Sequence, residues 1–318
     1  MQLDSLPQRG SGIIFLEALI CLTINITSLV GNILVCMSVY RNQRLRTNTN
    51  LYIIALAIAD LLSATLVMPF TTIALISGEW ILGSLICDLH SFIMNFVLYV
   101  SPTTMALTAF NRYIRIVKPS KYSTIFTQKR SGIILGGSWA FVACYVAIPR
   151  LAGLQDYGFM PGYALCHVIH LSEAGSLAHY SAVITLFLIT PLSVAIVCYF
   201  KVFKAIRHHN LDTAPSLQFS HAQGHITVHE IKISKSLFLV VLAFIVCWIP
   251  AWAVAIVIRF RLTATIARGV QLFCSLSIYT SSAVNPFIYA GMNRSFRQEF
   301  KKILRCRSHV TPAEISQD

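Results

Sequence analysis

Seven long apolar runs organise this sequence, at about residues 13–40, 48–76, 85–117, 131–151, 178–204, 231–258 and 266–291. Crossing the roughly 30 Å hydrocarbon layer of a bilayer takes about 20 mainly apolar residues in a helix, and each run supplies them. No water reaches peptide groups at that depth, so each run must satisfy its own backbone as a helix. A strand barrel needs ~10-residue alternating segments, and these runs do not alternate. The expectation is an all-α membrane protein: a seven-transmembrane helix bundle over residues 13–291, with a short polar segment 1–12 before it and a tail 292–318 after it. Only 12% of the residues are charged, about half the roughly 25% of a soluble chain, which leaves too little polar surface to cover a soluble body. The first run is too long for the core of a removable signal peptide and counts as a retained span.

The net charge of +13 invites a nucleic-acid reading. The positive residues sit in short segments between apolar runs, however, and form no single polar face, so nucleic acid is not an expected partner. Of the 25 Lys and Arg residues, 20 lie in or at the span ends bordering the segments between spans one and two, three and four, and five and six, and after span seven. The positive-inside rule puts those segments and the C-terminus in the cytoplasm, and the N-terminus outside. After Met292, one helical face carries Phe296, Phe300, Ile303 and Leu304 with basic residues opposite, the pattern of a short amphipathic helix on the inner leaflet. Cys306 follows it as a candidate S-palmitoylation site. The segment 206–229 holds His208, His209, His221, His225 and His229 at spacings that match no usual metal set, so it reads as a polar loop.

Within the spans, polar and kinking residues stand out. Asp60 lies mid-span with no charged neighbour in sequence. An ionisable group at that depth needs a partner, and Ser101, Ser281, Ser282 and Asn285 are candidates from other spans. Asp60 reads either as packing glue or as an ion or protonation site. Pro191, Pro250 and Pro286 each remove a backbone hydrogen bond, in the company of Tyr199, Trp248, Asn285 and Tyr289. A bundle hinged in three helices suits switching. Arg112 ends the third run, either as an interfacial anchor or as a working part. Six of the nine cysteines lie within runs as small buried hydrophobes. Cys87 opens span three and Cys166 lies in the long external loop; both face the oxidising side, and a disulfide between them would pin that loop over span three.

In chain order the motifs are Gly31-Asn32, Leu56-Ala57-Ile58-Ala59-Asp60, Trp80 with Cys87, Asn111-Arg112-Tyr113, Trp139, Pro191 with Tyr199, Cys247-Trp248-Ile249-Pro250 and Asn285-Pro286-Phe287-Ile288-Tyr289. Over nearly its whole length the chain resembles a rhodopsin-like (class A) G-protein-coupled receptor. The resemblance implies a plasma-membrane receptor, not an enzyme, that relays an extracellular ligand to heterotrimeric G proteins, with arrestin as a further partner. It implies that Arg112 holds the resting state through Glu230 and, once released, receives the G protein near Tyr199 and Tyr289. Asn111, Tyr113, Asn285 and Pro286 belong to the same switch. It implies a sodium site from Asp60, Ser101, Ser281 and Asn285, with Trp248 as the floor of the ligand pocket. No retinal is implied, because Tyr279 stands where a lysine would carry it. Two residues depart from the family pattern. Asn111 replaces the usual aspartate and holds Arg112 by no more than a hydrogen bond, which raises expected basal activity. Pro102 replaces a branched aliphatic that packs against Pro191 and Phe244.

Amine receptors of that family place an aspartate about two turns below the disulfide cysteine; Met94 stands there, so a cationic amine meets no counter-ion. The expected pocket, Met94, Asn95, Leu98, Trp248, Trp252 and Tyr279 with His170 from the loop, is aromatic, apolar and uncharged, which suits a small neutral or lipophilic ligand. Asn111-Arg112-Tyr113 together with Met94 resembles melatonin-type receptors and their invertebrate orphan relatives. A short peptide is the second reading, drawn by Arg150, Arg259, Arg261 and Arg268 on the outer face. A transporter or channel is a different class, but seven spans do not divide into inverted repeats and no charged ring is visible. An intramembrane enzyme would need paired carboxylates, a nucleophile turn or a His cluster within the spans, and the sequence has none.

Overall fold

The computed structural model describes residues 6–212, 228–259 and 266–305. Spans one to three are α1 (Ser11–Arg41), the pair α2 (Asn48–Leu66) and α3 (Met68–Ser77), and α4 (Gly83–Val117). A short α5 (Pro119–Ile125) leads to span four, α6 (Gln128–Leu151). Strands β1 (Gln155–Met160) and β2 (Leu165–His170) follow, then span five as α7 (Glu173–Val183), a π-helical turn (Ile184–Ile189) and α8 (Thr190–Asp212). Spans six and seven are α9 (Val228–Arg259) and α10 (Arg268–Met292), and α11 (Arg294–Leu304) closes the described chain. Six spans are long and apolar enough to cross a membrane. The seventh, α10, carries Gln271, Ser275, Ser281, Ser282 and Asn285, which lower its hydropathy; it takes its place by packing against α1 and α9.

The bundle has its polarity reversed relative to a soluble protein. Phe200, Val246 and Phe287 are exposed on its sides, whereas Asn32, Asp60, Arg112 and Asn285 are buried. Lipid tails give apolar side chains no reason to turn inward, so small and polar groups form the helix contacts. Span seven shows this at Pro286, which cannot donate to the Ser282 carbonyl one turn back. Asn32 of α1 supplies the missing donor, its Nδ2 lying 3.1 Å from that oxygen. Gly31 makes the approach possible: a Cβ there would lie 2.7 Å from Pro286 Cγ.

Several features differ from the sequence expectation. The second run divides at Val67, because Pro69 has no N–H for the Thr65 carbonyl. Span five widens into its π turn just before Pro191 for the same reason, and the Thr190 hydroxyl donates to Thr185 O at 2.7 Å. The loop after span four is an antiparallel hairpin, β1 against β2, in an otherwise helical bundle. The Cys87–Cys166 disulfide, spanning 79 residues, holds that hairpin to α4 as expected. In α11, Phe296 and Phe300 are buried beneath the bundle, but Leu304 is 66% exposed. Cys306 and most of the His-rich segment lie outside the described residues.

Candidate functional site

At the end of the bundle opposite the hairpin, α4 presents Arg112 and α9 begins with Glu230 in its first turn, where an acid suits the positive end of the helix dipole. Arg112 Nη1 donates to Glu230 Oε2 at 2.8 Å, and Arg115 Nε donates to Oε1 at 3.1 Å. Arg112 is 2% exposed and Glu230 20%. The second Arg112 nitrogen donates to the Thr49 hydroxyl. Thr49 in turn donates to Asn111 Oδ1 at 3.1 Å, and Asn111 Nδ2 donates to the Tyr122 hydroxyl at 3.3 Å. The expected bond between Asn111 and Arg112 is therefore replaced by a bridge through Thr49. Neighbours in sequence point to different sides of a helix, so a third group must join them. Tyr113 lies between the ammonium groups of Lys118 and Lys201, at 5.8 and 5.4 Å from its ring. Tyr199 and Tyr289 are buried in one apolar cluster with Phe244 and Trp248, and their hydroxyls have no partner among the described residues.

Mid-bundle, Asn285 Nδ2 donates to Asp60 Oδ2 at 2.9 Å, and the Ser282 side chain lies near this carboxylate. Ser101 is buried without a hydrogen bond to Asp60. Ser281 turns away, donating to Ile278 O and accepting from Trp248 Nε1 at 3.3 Å. Asn285 is therefore the side chain that bonds Asp60 directly, with Ser282 close by. No cluster of three or more His, Cys, Asp or Glu that could hold a metal occurs among the described residues. The oxygens of Asp60, Ser282 and Asn285 are the donor type a hard cation takes.

On the hairpin side, Met94, Leu98 and Tyr279 meet in one apolar cluster under Ala164 and Leu165. The Tyr279 hydroxyl pairs with Thr71 Oγ1 at 2.8 Å. Asn95 is spent on its own helix, donating to Ser91 O at 2.7 Å and accepting from Tyr99 at 3.3 Å. His170 packs against His179 and Tyr180, at 4.9 and 5.3 Å between rings, rather than over the tryptophans. Burial lowers the His170 pKa, and burial with the nearby His170 pushes that of His167 down to about 4, so the hairpin imidazoles are neutral near pH 7. Trp248 and Trp252 stack at 6.2 Å and line a separate cavity of about 330 Å³ between spans three, five and six. Pro102, Pro191 and Phe244 line that cavity too, so the packing that Pro102 disturbs leaves an open volume.

Residues 31–289 match the family model described as 7 transmembrane receptor (rhodopsin family). The chain belongs to this family. The rhodopsin-family assignment makes the protein a multi-pass membrane receptor that couples an extracellular ligand to G proteins, and not an enzyme. The dog (Canis lupus familiaris) histamine H2 receptor is 29% identical over 96% of this chain and 82% of its own length. The Xenopus laevis melatonin receptor type 1C is 26% identical, covering 97% and 71%. The Drosophila melanogaster octopamine receptor beta-1R is 28% identical, covering 92% and 62%. Crystalline squid rhodopsin superposes with a TM-score of 0.81 at 20% identity, over 96% of this chain and 90% of that one, a likeness of fold.

Two residues bonded to Arg112 and Asn111 escape sequence reasoning. Thr49 sits in the polar start of α2, where such residues read as helix caps, and neighbouring Thr47 does cap by accepting from Asn50 N. Tyr122 lies on α5, too short to leave a periodic signal. Both become visible only through Asn111, whose amide needs partners once it is buried.

Proposed function

We propose that this receptor takes a small, uncharged or lipophilic extracellular ligand on the hairpin side of the bundle, near Met94, Leu98, Tyr279 and the Trp248–Trp252 stack. The observation that carries this is Met94, an apolar side chain buried among Ile93, Val97 and Tyr279 at the depth where the counter-ion of an amine would stand. A cationic amine placed there would be desolvated without a counter-ion. Two relatives are named for the amines histamine and octopamine and one for melatonin; Met94 favours the melatonin-like direction. The peptide reading loses support because two of its arginines are engaged. Glu17 holds Arg268 at 2.6 Å, and Arg150 lies 3.3 Å from Asp88 and 3.2 Å from Asp156. The side chains of Arg259 and Arg261 lie outside the described ones.

The test is a G-protein reporter assay on cells expressing the chain, with melatonin, histamine, octopamine and a short-peptide panel. The proposal expects responses to neutral acylated amines and none to the parent cations; a response confined to cations or peptides would contradict it. The distribution of Lys and Arg supports a cytoplasmic Arg112 end and an extracellular hairpin. The oxygens around Asp60 support an allosteric sodium ion there, which competition binding with sodium against Asp60→Asn would test. The released Arg112 end is also a surface for arrestin.

A further inference from the structure

We propose that the junction of the hairpin with span five binds a divalent metal ion of the Zn²⁺ class, with His170 and His179 as its two protein ligands. His170 ends β2 and His179 lies on α7, so the pair joins two separate elements. Their ring centroids are 4.9 Å apart and their planes are inclined by 52°. Tetrahedral Zn²⁺ lies about 2.0–2.1 Å from each imidazole nitrogen, which puts the centroids of two ligating rings roughly 5 Å apart. The two rings already stand at that separation. Neighbouring aromatics hold them there. Tyr145 stacks on His179 at 6.2 Å and 26°, and Tyr180 meets His170 edge-on at 5.3 Å and 60°. Little ordering is left for an ion to impose. Both histidines are half-buried, so an ion reaches them from water on the hairpin side.

Two further observations point to a cation. The His170 Nε2 is buried with no hydrogen-bond partner among the described residues, a condition that ring packing does not offset. The rings packed on His170 are those of His179 and Tyr180. An ion between the two imidazoles takes the place of their contact and the lone pair of that nitrogen, with the ring proton on Nδ1. The surroundings also carry an excess of acid. Asp88 and Asp156 share the one guanidinium of Arg150, and Asp156 stands across the hairpin from Ile169, next to His170. Such a field draws cations. Imidazole selects Zn²⁺ or Cu²⁺, whereas Ca²⁺ and Mg²⁺ take oxygen ligands. Water completes the coordination, since no third His, Cys, Asp or Glu joins a metal cluster among the described residues. The Cys87–Cys166 disulfide already pins β2 to α4; a bound ion pins its end to span five as well. The site uses none of Met94, Tyr279 and Trp248, so this proposal and the ligand reading fail separately.

The test is hydrogen–deuterium exchange on full-length receptor in phosphatidylcholine nanodiscs, with and without Zn²⁺. Zn²⁺ is expected to slow exchange roughly threefold or more in peptides covering residues 165–183, because it closes local opening there. Ca²⁺ should leave those peptides unchanged. His170→Ala and His179→Ala should each remove the protection, while any effect of Zn²⁺ on the His-rich segment 206–229 stays as it was. That comparison separates the two sources of imidazole. No protection in residues 165–183, equal protection by Ca²⁺, or protection that survives both variants would overturn the proposal. If an alanine variant does not fold, His170→Gln and His179→Gln keep most of the side-chain volume without the ring, and the Zn²⁺ and Ca²⁺ comparison on the unmodified receptor still decides the matter.

Discussion

Arg112 Nη1 lies 2.8 Å from Glu230 Oε2, tying spans three and six together at the end opposite the hairpin. Arg112 is almost wholly buried, so breaking the pair leaves a guanidinium without its acid while Thr49 retains one arm. A hydrogen bond to a charged group contributes about 1.5–3 kcal/mol, and the one-fifth exposure of Glu230 puts this pair toward the low end. Glu230→Gln should therefore raise agonist-free G-protein activation by roughly tenfold, since about 1.4 kcal/mol is one decade in an equilibrium constant. Nucleotide exchange on purified receptor and G protein measures it; no rise would remove this pair from the switch.

Asn111 restrains Arg112 only through Thr49. Asn111→Asp puts a negative charge beside the Thr49 bridge, while Tyr122 remains able to donate to it. Basal signalling should fall, and Thr49→Ala should raise it by removing the bridge. Agonist-free second-messenger levels, normalised to surface receptor, check both signs. Basal signalling unchanged by Asn111→Asp would show that the neutral residue does not loosen the switch.

Gly31 faces the Pro286 ring, and a methyl group there has no room. Gly31→Ala should cost about 1–3 kcal/mol through overpacking, read as a lower unfolding temperature in detergent. Asn32→Ala should destabilise as well, because it orphans the Ser282 carbonyl that Pro286 already leaves unpaired. Unfolding temperatures equal to that of the unmodified receptor would contradict the close contact of spans one and seven.

The disulfide closes a 79-residue separation and carries the hairpin over Met94 and Tyr279. Cys87→Ser should destabilise the fold by roughly 2–5 kcal/mol and reduce ligand response more than it reduces surface expression. Surface staining beside reporter response separates the two effects.

His167 gives the hairpin a pH dependence. Its folded pKa of about 4 lies below the ordinary imidazole value near 6.5. Between those values the unfolded chain binds a proton that the folded chain refuses, so stability falls as pH drops through that window. Unfolding temperature should decrease from pH 7 to pH 5, and His167→Gln should flatten the dependence. A slope unchanged by His167→Gln would assign the effect to another group.

The spans were legible because lipid leaves a long apolar run only one way to satisfy its backbone. The pairing of Arg112 with Glu230 was legible through the family resemblance, which implied an acid at the start of span six as the partner of Arg112. The routing of Asn111 through Thr49 and Tyr122 was not, since it depends on how spans two and three and α5 meet. The turning of Ser281 away from Asp60 toward Trp248 depends on helix rotation, which apolar patterning does not encode where all faces are hydrophobic. The hairpin escaped because six-residue strands leave a weak signal, and the cavity between spans three, five and six because a void has no residue of its own. Pro102 was its one visible sign.

The most direct test of the central claim is G-protein activation by Arg112→Ala at surface expression matched to the unmodified receptor. If Arg112 is the output of this receptor, the variant reaches the surface and fails to activate any G protein in a reporter panel, with or without ligand. Intact signalling by that variant would contradict the account.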